Sequence, residues 1–251
     1  MRLVVLVGTL AACGTGTNDR AGKPALAPSV ESGPGGAPRT PAPRERASFQ
    51  RLHMTERFAD LLQMERALVA GELDVVREYA TALALDRTDA DLAAWSAELA
   101  QMREAALALS EARDVATAVR REPVLAVACA RCHLVAGAQL PISDAGPPPD
   151  DGTTSMRMAR HQWAADRLWV ALVAPSGTAW RDGVAVLADP PLPFDELAPH
   201  VSPDARTRMA ELSLRLRALA DAEQSVDDLD RWAATYGDAL EICAACHALA
   251  R

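Results

Sequence analysis

The chain has 251 residues, enough for one large domain or two small ones. Its formal charge of −8, with no clustered basic face, excludes a nucleic-acid binder. Ala and Leu abound, β-branched runs are short and Gly is concentrated near the N-terminus, so the composition favours helices over strands.

Met1-Arg2 is a short basic start, and Leu3 to Ala12 is an apolar run of about ten residues. That is too short for the ~20 residues of a membrane span but suits the core of a signal peptide. The run ends in Leu10-Ala11-Ala12-Cys13, which resembles the lipobox of bacterial lipoproteins. The resemblance implies that residues 1–12 are a signal peptide and that Cys13 carries lipid. Gly14 follows, where an Asp would favour the inner membrane, so it further implies the outer membrane. The alternative is an ordinary secretory signal with a chance Cys; either way the chain is exported. Residues 13–47 are rich in Gly, Pro, Ala, Ser and Thr and cannot bury enough apolar surface to fold, so they read as a disordered tether.

The remainder repeats itself. Met54 and Met158 lie 104 positions apart, and so do the segments Ala67-Leu68-Val69-Ala70 and Ala171-Leu172-Val173-Ala174. The expected units are residues 48–136 and 153–251, joined by a Pro-rich linker over 137–152 that contains Pro147-Pro148-Pro149. About ten extra residues are expected in unit two around Asp189-Pro190-Pro191-Leu192-Pro193. Leu92, Trp95, Leu99, Met102, Ala106 and Leu109 alternate spacings of three and four, as do Met209, Leu212, Leu216 and Leu219. Such seams belong to helix bundles. Gly71 and Pro175-Ser176-Gly177 read as ends of the first helices. Thr88 or Asp89 reads as a cap for the third helix, and Ser225 with Asp228 as a capping pair for the last. Pro123 is expected to kink or restart the last helix of unit one. About four helices per unit suit an antiparallel four-helix bundle.

Each unit ends in the same pentapeptide, Cys129-Ala130-Arg131-Cys132-His133 and Cys243-Ala244-Ala245-Cys246-His247, 114 positions apart. C-x-x-C-H is the attachment signature of a c-type haem. Two thiols one helical turn apart add to the two vinyl groups of one porphyrin, and the imidazole that follows reaches the iron from the same face. The motifs use every cysteine except Cys13. Two C-x-x-C pairs would also suit zinc, but a four-thiolate site does not require a His after each pair. Two covalently attached haem c groups are therefore expected, with His133 and His247 as proximal iron ligands. Haem attachment outside the cytoplasm agrees with the export signal.

A bundle with C-x-x-C-H on its last helix resembles the cytochrome c′ family and its low-spin, six-coordinate relatives. The resemblance implies an all-α fold of two tandem four-helix bundles. Low-spin members use a Met near the start of the first helix as the sixth iron ligand, which implies distal roles for Met54 and Met158. His161, one turn beyond Met158, is the alternative in unit two; Arg57 holds that place in unit one, beside His53. Members often carry a basic residue four after the haem His. Arg251 matches, whereas Gly137 stands there after His133, so the two environments should differ. The five Trp residues read as core or pocket wall, and His200 as a surface loop residue.

No nucleophile–base constellation is visible in the sequence, so catalysis is not expected. The expected function is a dihaem cytochrome that carries electrons between redox proteins on the periplasmic side of a bacterial membrane. The alternative is a gas-binding or gas-sensing cytochrome c′-like protein with at least one five-coordinate haem.

Overall fold

A computed structural model describes residues 43–86, 90–138, 140–190, 192–197, 200–223 and 228–250. The expected signal peptide, Cys13, the tether as far as residue 42, the caps at Thr88, Asp89 and Ser225, and Arg251 lie outside the described residues. Among the described residues the chain is all-helical, with no strand. Four α-helices come from the first half: α1 Pro43–Val69, α2 Leu73–Leu85, α3 Ser96–Ser110 and α4 Val115–Ala136. Four come from the second: α5 Thr154–Val173, α6 Gly177–Leu187, α7 Pro203–Glu223 and α8 Leu229–Leu249. A short 3-10 turn precedes the third helix of each half, at Ala90–Trp95 and Phe194–Leu197.

The helix ends carry the repeat. Gly71 takes a left-handed φ of 71° just after α1, and Glu72 N–H donates to Ala67 O at 2.8 Å. The matching bond after α5 runs from Ser176 N–H to Ala171 O at 3.0 Å. These residues keep the 104-residue offset. Asp114 caps α4 by accepting from Thr117 N–H at 2.6 Å, and Asp228 caps α8 by accepting from Arg231 N–H at 2.7 Å. These caps keep the 114-residue offset, so the insertion lies between α6 and α8, and the last helix is capped by Asp228 itself. Helix α1 begins at Pro43, inside the stretch expected to be tether; Pro at a first helical position gives up no backbone bond. Helix α4 runs on through the buried Pro123 without a restart. Gly137, left-handed at φ 63°, ends it.

Residues 140–152 of the linker have no regular structure but are pinned to α5: Arg160 donates to Pro148 O at 2.5 Å and Arg167 to Ser143 O at 2.6 Å. The seams turn inward as their periods require. Leu99, Met102, Ala106 and Leu109 are buried on α3, and Met209 and Leu216 on α7.

The two sets of helices share one apolar core and form one compact unit. Met64 and Leu68 of α1, Leu125 of α4, Trp169 and Leu172 of α5, Trp180 of α6 and Tyr236 and Leu240 of α8 all enter that core. Each fully buried Leu contributes roughly 1.5–3 kcal/mol. Trp180 stacks on Trp232 at 5.1 Å, and Trp169 lies 6.0 Å from Tyr236. Helices α4 and α8 pack antiparallel through the middle, because Arg120 pairs with Glu241 at 3.7 Å while Arg131 pairs with Asp230 at 3.3 Å. Their backbones approach closely where a Cβ on Gly237 would lie 3.2 Å from Val119 O.

Candidate haem-attachment sites

The antiparallel α4/α8 pair places the two pentapeptides at opposite ends of the shared core. From the two ion pairs, His133 and His247 lie roughly 28 Å apart along the helix axis at a rise of ~1.5 Å per residue. The two cysteine pairs are therefore too far apart to share one tetrahedral zinc. On each helix the two Cys are one turn apart and the His follows on the same side, because residues three and four apart are neighbours on a helix surface. None of the four described cysteines is in a disulfide.

In the second half, Cys243, Cys246 and His247 share a cleft with Met158 and His161. Its cavity volume is about 50 Å³, well below the ~300–1,000 Å³ of sites that enclose a whole cofactor. Leu192, Leu216, Ile242, Ala165 and Val69 supply apolar wall, and Gln162 and Ser213 the polar part. Met158 also packs, with Cys246 and Leu249, against a small apolar cluster of Leu192, Phe194, Val201 and Met209. The insertion between α6 and α8 thus supplies the outer wall of this cleft. His161 is largely buried, and burial pushes its imidazole below the ordinary value; Asp189 opposes that shift, while Arg160 and Arg157 add to it. The neutral ring that results is the form that binds metal.

In the first half, Cys129 is buried in the main core and Met54 packs against the same core, partly buried. Burial pushes the Cys129 thiol up to about 12, with Cys132 adding to the rise and Arg57 opposing it. Cys243 is likewise pushed up to about 12, by burial first and then by Glu65 and Cys246. In the fold these thiols stay protonated and are poor nucleophiles. His133 is oriented across the halves: its Nδ1–H donates to Val173 O, the last residue of α5, at 2.9 Å. Nε2 is then the nitrogen available to a metal. Val69, which matches Val173 in the repeat, lines the cleft that contains His247. Each half therefore brings the end of its first helix to the other half's pentapeptide.

A similar Arg–Asp pair occurs in each half, one position out of the 104-residue register, and was not singled out in the sequence. Arg57 bonds Asp86 at 2.7 Å, and Arg160 bonds Asp189, each pair 29 residues apart and each tying a first helix to the end of the second. His53 Nε2 also lies 3.3 Å from the Asp86 carboxylate. The identical spacing in both units was the available signal. His200 is an exposed turn residue. Trp169, Trp180 and Trp232 are core, whereas Trp95 and Trp163 are partly buried.

Sequence reasoning also missed a buried acidic pair between the halves. Glu65 of α1 and Glu122 of α4 are both fully buried. Tyr236 of α8 donates to Glu65 Oε1 at 3.2 Å, and Gln162 of α5 donates to Glu65 Oε2 at 3.4 Å. Burial and the nearby Asp166 push the Glu65 carboxyl up to about 8, against the lowering effect of Tyr236, Gln162 and Arg66. Burial, and then Glu65, push Glu122 well above the carboxylate range. A Glu in a helical run reads as a solvated face, so only the tertiary packing reveals this pair.

No protein-family model, curated protein or solved structure matches the chain.

Proposed function

We propose that this chain is a dihaem c-type cytochrome, built from two tandem cytochrome c′-like four-helix segments, that carries electrons outside the cytoplasm. The carrying observation is the repeated pentapeptide at the same place on two matching last helices. The residues fit the group. Each Cys pair stands one turn apart with its His alongside, and His133 has its Nδ1 engaged so that Nε2 is left for iron. The second motif opens on a mainly apolar cleft that it shares with Met158 and His161. Cys129 and Cys132 hold one haem with His133 as proximal ligand, and Cys243 and Cys246 hold the other with His247. Met54 and Met158 are the distal ligands, with His161 the alternative to Met158. Bound haem supplies one-electron chemistry.

The chain's own part is to keep water from that centre and fix its ligands. Leu192, Leu216 and Ile242 wall the second cleft with apolar surface, and the second small apolar cluster backs Met158. Redox proteins are the partners, and the acidic balance favours a basic docking face on them. Replacing Cys243 and Cys246 together by Ala should leave one covalent haem per chain, seen as the loss of one haem mass; retention of both would defeat the assignment.

The lipobox-like Leu10-Ala11-Ala12-Cys13 supports a location on the periplasmic side of a bacterial membrane, at the outer membrane, through a lipid on Cys13. In cell fractionation Cys13→Ser should move the protein from the membrane to the soluble fraction; wild type found soluble would contradict the anchor.

A further inference from the structure

Gln162 links the buried Glu65 to the second cleft and to the partly exposed Asp166. Gln162 lines the cleft with Met158, His161 and Cys243, and its amide donates both to Glu65 Oε2 at 3.4 Å and to Asp166 Oδ1 at 2.8 Å. Asp166 in turn accepts from Arg66 at 2.9 Å at the surface, where its side chain is 27% exposed. Inward, Glu65 meets Tyr236. Among the described residues neither carboxylate oxygen of Glu122 has a hydrogen-bond partner, although the side chain is fully buried. A buried carboxyl without partners costs free energy as an ion and much less as a neutral acid. Along the α4/α8 pair, Glu122 and Tyr236 fall between the two pentapeptides.

We propose that the Glu65–Glu122 pair is a proton-loading site coupled to reduction of the centre held by Cys243, Cys246 and His247. The inference rests on the haem reading above. In the coupled step one electron, from an external one-electron protein donor, enters that centre. One proton from solvent forms an O–H bond on the ionised Glu65 carboxylate. The positive charge lost at the centre is balanced by the negative charge lost at Glu65. Oxidation reverses both. The charged or titratable groups facing Glu65 are Arg66 on its own helix, Glu122 on α4, Asp166 on α5, and Tyr236 and Cys243 on α8. Of these only Arg66 is basic, and it already bonds Asp166, so a negative charge on Glu65 is poorly compensated.

The test is redox potentiometry of the intact protein from pH 6 to pH 10, with proton uptake on reduction followed in weak buffer. The midpoint of the second centre should fall as pH rises, by up to about 59 mV for each tenfold change in proton concentration for one electron and one proton. Glu65→Gln should flatten that slope and abolish the matching proton uptake. Tyr236→Phe removes a bond that favours the Glu65 anion, so it should move the onset of the slope to higher pH. A flat wild-type profile, or an unchanged slope and uptake in Glu65→Gln, overturns the proposal. Both results presuppose bound haem, so a chain without a covalent haem band would overturn the haem reading instead.

Discussion

Unfolding should become easier by several kcal/mol as the pH rises from 4.5 to beyond 8, and Glu65→Gln should remove the share of that loss that Glu65 contributes. Glu65 has an ordinary carboxyl value of 4.5 in the unfolded chain and is pushed up to about 8 in the fold, chiefly by burial. The folded state therefore binds the proton more tightly than the unfolded state. Its contribution is fully present below 4.5 and is lost as pH climbs through about 8. At ~1.36 kcal/mol per pH unit the Glu65 contribution alone is on the order of 5 kcal/mol. Glu122 acts in the same direction. Asp114 acts in the opposite one, since its bonds to Thr117 hold it below the ordinary carboxylate value and its stabilisation is lost only in acid. Urea midpoints measured from pH 5 to pH 9 test this. Glu65→Gln should be more stable than wild type at pH 9 and close to it at pH 5. A wild-type midpoint that does not fall above pH 6, or a variant that falls as steeply as wild type, would show that Glu65 is ionised in the fold.

The second large effect concerns the iron ligands. A carrier benefits from keeping both axial ligands in both oxidation states, because little then rearranges on transfer; a gas binder needs a vacant site. Met158 shares the second cleft with Cys243, Cys246 and His247, and Met54 recurs at the same offset in the first half. Wild type should therefore be low-spin with the weak sulfur-to-iron band near the red end of the spectrum. Met54→Ala should abolish that band at the first haem and open its iron to carbon monoxide. Met158→Ala should do so at the second, unless the neutral His161 in the same cleft takes the position and gives a low-potential, low-spin centre. High-spin wild type that binds carbon monoxide at both haems would replace electron carriage by gas binding.

Much of this organisation was legible in the sequence because it is written in local spacing. The C-x-x-C-H runs, the turn chemistry at Gly71 and Ser176, and the seams of α3 and α7 depend on neighbours within a few residues. The 104- and 114-residue offsets reappear in the helix caps at Glu72 and Ser176 and at Asp114 and Asp228. What the sequence concealed depends on which apolar face meets which. Periodicity marks α4 and α8 as buried on one side but does not say that they pack antiparallel on each other. Nor does it say that His133 is oriented by Val173 from the other half. Glu65 and Glu122 were concealed for the same reason, since a carboxylate in a helical run is ordinarily solvated and only the meeting of four helices buries these two. Pro43 was read with the tether because it closes a Pro-rich run, although Pro is also well suited to open a helix.

The central claim is that each pentapeptide holds its own haem covalently. Its most direct test is the mass of the intact exported chain after acid–organic extraction of loosely bound haem. The expected result is the mature, lipid-bearing polypeptide plus two haems; a chain with no haem mass, or one carrying a single haem, would contradict it.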